Sequence, residues 1–83
     1  MFTVYALYSE KYGKIYIGYT SNLEQRLISH NTLATKGYTI MFRPWTVIHK
    51  EYFGSKSEAV KREKQLKSAQ GRKFIWGIIK IDG

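Results

Sequence analysis

Two runs rich in β-branched and aromatic residues, 2–8 and 14–19, flank a five-residue connection that ends in Gly13. That arrangement predicts a β-hairpin, and it restricts the chain to folds that can cover a hairpin on both faces. Alternation puts Thr3, Tyr5 and Leu7 on one face of the first strand. It puts Tyr16 and Gly18 together on one face of the second. The chain has 83 residues and reads as one domain, 1–83. A domain of this size buries only roughly 60–65% of its unfolded surface, so its core must be dense. With 43% hydrophobic and 16% aromatic residues the material is present.

The rest of the chain supplies the cover. Ser21 with Glu24 three residues on reads as a capping box that opens a helix running to about residue 30 or 31. Leu23 and Leu27 set its apolar direction, and Arg26 and His30, one turn apart, lie beside them. Residues 31–43 carry turn chemistry, including Thr35 and Gly37, and precede Pro44; they read as a loop with room for one helical turn. Residues 45–53 form a third strand. Ser55 and Glu58 make a second capping box, Gly71 ends that helix, and Phe74, Ile75, Ile78 and Ile79 recur at helical spacing in a short C-terminal helix. The expected fold is α+β: a three-stranded antiparallel sheet flanked by helices, in the order β-β-α-β-α-α.

One residue does not fit a purely structural reading. Helical spacing puts Ala59, Glu63 and Leu66 on a single line, the apolar stripe of an otherwise lysine-rich helix. A carboxylate there must be paired, metal-bound or catalytic, because burying it bare is too costly. The other acids have structural places: Glu24 and Glu58 in capping boxes, Glu10 in a turn, Glu51 in a strand. Glu63 is left over.

Charge narrows the partners. Fourteen Lys and Arg against six Asp and Glu give +8, which points to a polyanion, most often nucleic acid; a solvated basic surface is the plainer alternative. The basic residues are spread along the chain and form no polybasic run, which disfavours a membrane surface. Without cysteine there are no disulfides or thiolate metal sites. Residues 2–8 are too short for a membrane span or a signal core, so a soluble, cytoplasmic protein is expected. The single aspartate, Asp82, is beside the terminus, two histidines fall short of a zinc site, and no phosphate-cradling glycine motif occurs. One inward carboxylate suits a single Mg²⁺ that keeps most of its waters and takes further ligands from a substrate phosphate.

The chain resembles a small, stand-alone GIY-YIG endonuclease domain over nearly all its length. The second signature triplet stands as Tyr16-Ile17-Gly18, and the first as Thr3-Val4-Tyr5, which keeps its tyrosine. Ten residues separate the two tyrosines, Arg26 follows Tyr16 by ten, and His30 comes one turn later. Glu63 matches the family's metal-binding glutamate. The resemblance implies hydrolysis of a DNA phosphodiester with one Mg²⁺ or Mn²⁺ held by Glu63. It implies that Tyr16 or Tyr5 orients or deprotonates the attacking water, with Lys14 as the nearest cation to lower a phenol's pKa. Arg26 would clamp the phosphate, and His30 would relay a proton or hold a tyrosine. Gly18 would leave room for a nucleic-acid backbone. The expected activity is endonucleolytic cleavage of nicked, branched or damaged DNA, hence DNA repair, with RNA as a further possible target. With no second DNA-binding domain, specificity would come from substrate shape or a protein partner. A nucleic-acid-binding module on the same scaffold without effective catalysis is the alternative, and a basic protein-interaction domain a third.

Overall fold

The run Thr-Val-Tyr-Ala-Leu after Phe2 is apolar at consecutive positions, the pattern of a strand covered on both faces. The computed structural model, which describes residues 1–33 and 37–82, places it at the centre of the sheet. Strand β1 (Phe2–Ser9) has β2 (Lys14–Thr20) antiparallel on one side and β3 (Thr46–Phe53) antiparallel on the other, giving the order β2-β1-β3. Val4, Tyr5, Ala6 and Leu7 are all buried. The turn between β1 and β2 closes with Gly13 N–H donating to the Ser9 carbonyl at 2.8 Å, with Gly13 at φ +64°. The hairpin, the third strand and the α+β class are as expected; β3 begins one residue later than predicted.

The two sheet faces carry separate cores. Val4, Ala6, Ile15 and Ile17 pack on one face against Ala59, Leu66 and Ile75 of helices α3 (Lys56–Lys67) and α4 (Ala69–Asp82). Tyr5, Leu7 and Trp45 pack on the other, with Leu23 and Leu27 of helix α1 (Leu23–Ile28). A bulge in β3 pairs Ala6 with His49 and Leu7 with Val47, so Ile48 is the extra residue. Val47 then joins one core and Ile48 the other.

Three helix boundaries differ from the sequence reading. Asn22, not Ser21, caps α1: its side chain accepts from Gln25 N–H at 3.1 Å, while the Thr20 hydroxyl accepts from Asn22 N–H. Glu24 therefore enters the first turn and is not a box partner. After α1 the chain widens into a π-helical turn, Ser29–Leu33, and a short helix α2 (Tyr38–Met41) precedes β3. The predicted turn at Thr35 lies outside the described residues. Finally, α3 stops at Lys67, and Ser68 in extended conformation breaks it. Ser68 Oγ donates to the Gln65 carbonyl at 2.5 Å and accepts from Gly71 N–H at 3.3 Å, joining both helix ends.

Gly71 thus lies inside α4 and does not end α3. A Cβ there would come within 2.3 Å of the Gln65 carbonyl oxygen and Leu66 Cα. The glycine lets α4 start hard against the end of α3. The second capping box forms as expected, with Ser55 Oγ accepting from Glu58 N–H at 3.3 Å and donating to Glu58 Oε1 at 2.9 Å. Among the described residues no helix is long and apolar enough to cross a membrane.

Gly71→Ala should destabilise the domain by at least ~2 kcal/mol, because a backbone clash outweighs the ~1 kcal/mol that alanine gains in a helix. Thermal or urea unfolding would check it, and an unchanged midpoint would show that α4 shifts freely.

Candidate active site

In the β1–β2 register Tyr5 stands opposite Gly18, and Leu7 opposite Tyr16. Side chains of opposed residues project from the same face, so the Tyr5 ring lies over a position with no side chain. A Cβ on Gly18 would lie 2.8 Å from the Tyr5 hydroxyl and 3.2 Å from Tyr16 Cε2. The room that a side chain at Gly18 would need is thus filled from within by a phenol.

The same hydroxyl lies 2.9 Å from His30 Nε2. His30 is buried, and its ring centroid is 4.8 Å from that of Tyr16, which is 6.3 Å from Tyr5. The π-helical turn that carries His30 is held from behind. Arg43 Nε donates to the His30 carbonyl at 2.6 Å, and Nη2 to the Ser29 carbonyl at 3.3 Å, satisfying carbonyls at a helix end. Asn31 brackets Trp45, accepting from its N–H at 2.7 Å and donating to its carbonyl at 3.2 Å. The Trp45 indole donates to the Thr39 carbonyl at 2.8 Å. Asn31 and Arg43 position the site and had no sequence signal, since their partners are backbone groups 14 and 13 residues away.

Electrostatics fix the protonation of the Tyr5–His30 pair. Burial, then the neighbouring Tyr16 and, more weakly, Glu63, push the Tyr5 phenol up to about 12 against the opposing Arg26 guanidinium. Burial lowers His30, and the charges of Arg26 and Arg43 lower it further. Near neutral pH the pair is an un-ionised phenol on an uncharged imidazole. A cation does lower the Tyr5 phenol's pKa, as expected, but it is Arg26 and burial outweighs it. Lys14, assigned that part from sequence, is exposed and lays its ammonium 5.5 Å from the Phe42 ring centroid.

Beside this pair opens a cleft of about 310 Å³ lined by Tyr5, Tyr16, Gly18, Tyr19, Thr20, Arg26 and Glu63. Arg26 comes from α1 and Glu63 from α3. The Glu63 side chain is 14% exposed, and its carboxylate is 3.4 Å from the half-exposed Lys67 ammonium, an i, i+4 pair on the same helix. Of the residues named from sequence, Tyr5, Tyr16, Gly18, Arg26 and Glu63 meet at this cleft, His30 stands behind it on Tyr5, and Lys14 does not line it. Tyr19 and Thr20, which sequence reasoning missed, complete it; their signal was their place directly after Gly18.

The donor set decides which cation fits. Among the described residues no three His, Asp or Glu side chains gather into a cage. One carboxylate with phenol oxygens beside it suits a hard, oxygen-seeking ion that retains most of its waters, and does not suit zinc or a two-metal centre.

Comparison with known proteins follows the same residues. Residues 1–75 match the family model described as the GIY-YIG catalytic domain. A UPF0213 protein of Staphylococcus saprophyticus is 40% identical over 65 residues, which is 78% of this chain and 79% of the relative. A UPF0213 protein of Halobacterium salinarum is 44% identical over 61 residues, 70% of this chain and 79% of the relative. Another from Staphylococcus aureus is 34% identical over 63 residues, 76% and 77% of the two chains.

Tyr5 should resist ionisation until about pH 12 in a phenolate absorbance titration, and Tyr5→Phe should remove that component. A raised folded-state pKa stabilises below the unfolded value of about 10, and that contribution is lost as pH climbs from there through about 12. His30 acts in the other direction: its pKa is lowered, so stability should fall as pH drops below about 6.5, where the unfolded chain takes up a proton that the buried imidazole refuses. Urea unfolding at about pH 7 and about pH 5 should show a smaller acid loss in His30→Gln than in wild type.

Proposed function

The chain belongs to the GIY-YIG family, whose catalytic domain is a nuclease domain, and from that premise we propose a divalent-metal-dependent endonuclease that hydrolyses DNA phosphodiester bonds. One observation carries the reading: the sole acid on the apolar stripe of α3 is only 14% exposed and lines the same cleft as Tyr5, Tyr16 and Arg26, in a chain of net charge +8. Glu63 holds the metal, Mg²⁺ or Mn²⁺, as a single ion. When bound, that ion supplies Lewis-acid neutralisation of charge on the phosphate and the leaving oxygen.

The protein's own groups divide the remaining work. Arg26 is exposed at the cleft wall and takes the phosphate oxygens, where its planar fork stabilises charge developing in the transition state. A phenol at about 12 is too weak an acid to be the base, so Tyr5 serves as a positioning residue with its hydroxyl on His30. Tyr16, whose ring lines the cleft beside Tyr5, orients the attacking water. His30, neutral and buried, holds Tyr5 by its hydrogen bond and Tyr16 by ring contact; of its two expected parts, the positioning one is favoured. Nicked, branched or damaged DNA is the proposed substrate class, its specificity coming from shape or from a partner protein.

Labelled duplex, single-stranded and branched DNA, incubated with and without Mg²⁺ or Mn²⁺, tests this. Wild type should cut only with metal. Glu63→Gln should bind without cutting, and Arg26→Ala should lose ~10²-fold or more in rate. If Glu63→Gln cuts as fast as wild type, the metal assignment is wrong. Salt-dependent binding with no cleavage of any substrate would favour the alternative, a binding module on this scaffold.

A further inference from the structure

Beside the cleft, along the edge of β2, runs a second groove of about 370 Å³ lined by Ile15, Tyr16, Ile17, Tyr38, Lys67 and Arg72. It shares Tyr16 with the cleft, and Lys67 touches Glu63 of the cleft at 3.4 Å. The two depressions are therefore neighbours across one ring and one ion pair. Nothing in the cleft chemistry accounts for Tyr38 or Arg72.

Both are poor candidates for purely structural parts. Tyr38 keeps 45% of its surface exposed although three rings fix it: Phe42 at 4.9 Å, Trp45 at 6.1 Å and Tyr16 at 6.4 Å, the last nearly parallel at 27°. Arg72 is exposed and makes no salt bridge among the described residues. An exposed ring that shares one groove with two cations matches a nucleotide, with a base for the ring and phosphate for the cations. The volume is in the range that takes one small molecule.

We infer that this groove is a subsite for an unpaired deoxynucleotide next to the scissile phosphate, its base stacked on Tyr38 and its phosphate on Lys67 and Arg72. The occupant must be unpaired, because a base inside a duplex has no free face to offer a tyrosine. The rings continue outward: Tyr12 lies 5.5 Å from Phe42, with Lys14 over Phe42 and Lys11 over Tyr12 at 5.5 and 5.4 Å. That alternation of rings and cations gives the next nucleotides a path, and gives Lys14 a place on the strand outside the cleft. The inference rests on the reading of the cleft as a nuclease centre, since it takes the groove's neighbour to hold the scissile phosphate.

Binding, measured in chelator without divalent cation, separates the two. A fluorescent single-stranded oligodeoxynucleotide and a blunt duplex of the same sequence would be titrated with wild type and variants of unchanged circular dichroism and Tm. Tyr38→Ala should weaken single-strand binding about tenfold and leave duplex binding within about twofold, while Tyr38→Phe and Tyr38→Trp retain it. Arg72→Ala should lower the salt slope for the single strand by about 0.7. Tyr38→Ala binding the single strand as wild type does, or losing strand and duplex equally, would overturn the subsite. Tighter binding of the matching RNA oligonucleotide would overturn the deoxynucleotide assignment. Failure to cut with any metal would sink the nuclease reading alone, since this assay needs no cleavage.

Discussion

The hydroxyl of Tyr5 fills the volume that a side chain at Gly18 would need, and ends 2.9 Å from His30. Three elements must agree for that contact to exist. The hairpin register opposes Tyr5 to Gly18, the glycine removes the obstruction, and the π-helical turn brings an imidazole nitrogen to the far end. A buried hydroxyl left without its partner costs about 1–3 kcal/mol, so the contact also locks the turn to the sheet. Tyr16 is ordered by the same arrangement, held between His30 at 4.8 Å and Trp45 at 6.3 Å. The site's geometry is therefore inherited from strand pairing.

The acids sort in a way that explains why one of them stands apart. Glu58 accepts from Ser55 and closes the cap of α3. Glu51 accepts from Arg62 Nε and Nη2, at 2.8 and 3.0 Å, and pairs with His49 Nε2 at 2.7 Å. Arg62, more than His49, holds the Glu51 carboxyl below its ordinary range, against burial. That acid ties β3 to α3 and is fully occupied. Among the described residues Glu63 pairs only with Lys67, at 3.4 Å and half exposed. A single i, i+4 ion pair whose lysine is half exposed is a weak hold on a carboxylate compared with a divalent cation. In the proposed mechanism Lys67 would turn to a phosphate once Glu63 is engaged by the ion.

What the sequence disclosed followed from period and register. Alternation placed Tyr5, Tyr16 and Gly18 on common faces, and helical spacing turned Glu63 inward with Ala59 and Leu66, because both patterns are set by local backbone geometry. Contacts that close through space were hidden. Nothing in the chain says that Tyr5 fills the Gly18 vacancy, that Arg43 holds the His30 carbonyl, or that Gly71 admits the end of α3. Caps slid for a local reason: Asn22 and Ser21 are both good caps, and the Thr20 hydroxyl on Asn22 N–H favours the later start. The sign of the Tyr5 shift was equally out of reach, since burial, the largest cause, belongs to the fold and not to any neighbour in the chain.

The position of the cleft follows from the layering. Helix α1 packs on the sheet face of Tyr5 and Leu7, and α3 on the face of Val4 and Ala6. A residue from each helix can meet the other only where the sheet ends, at an edge strand. Since β1 is central, β2 is such an edge, and Arg26 and Glu63 meet there beside Gly18, the one position in β2 with no side chain to part them. A guanidinium from one layer and a carboxylate from the other are thus brought to one cleft. The same placement puts cations and rings along an edge whose free backbone groups would otherwise invite another strand. Site and edge protection are one solution: a three-stranded sheet this small has no interior in which a charged pocket could be afforded, and its rim is where both layers are in reach.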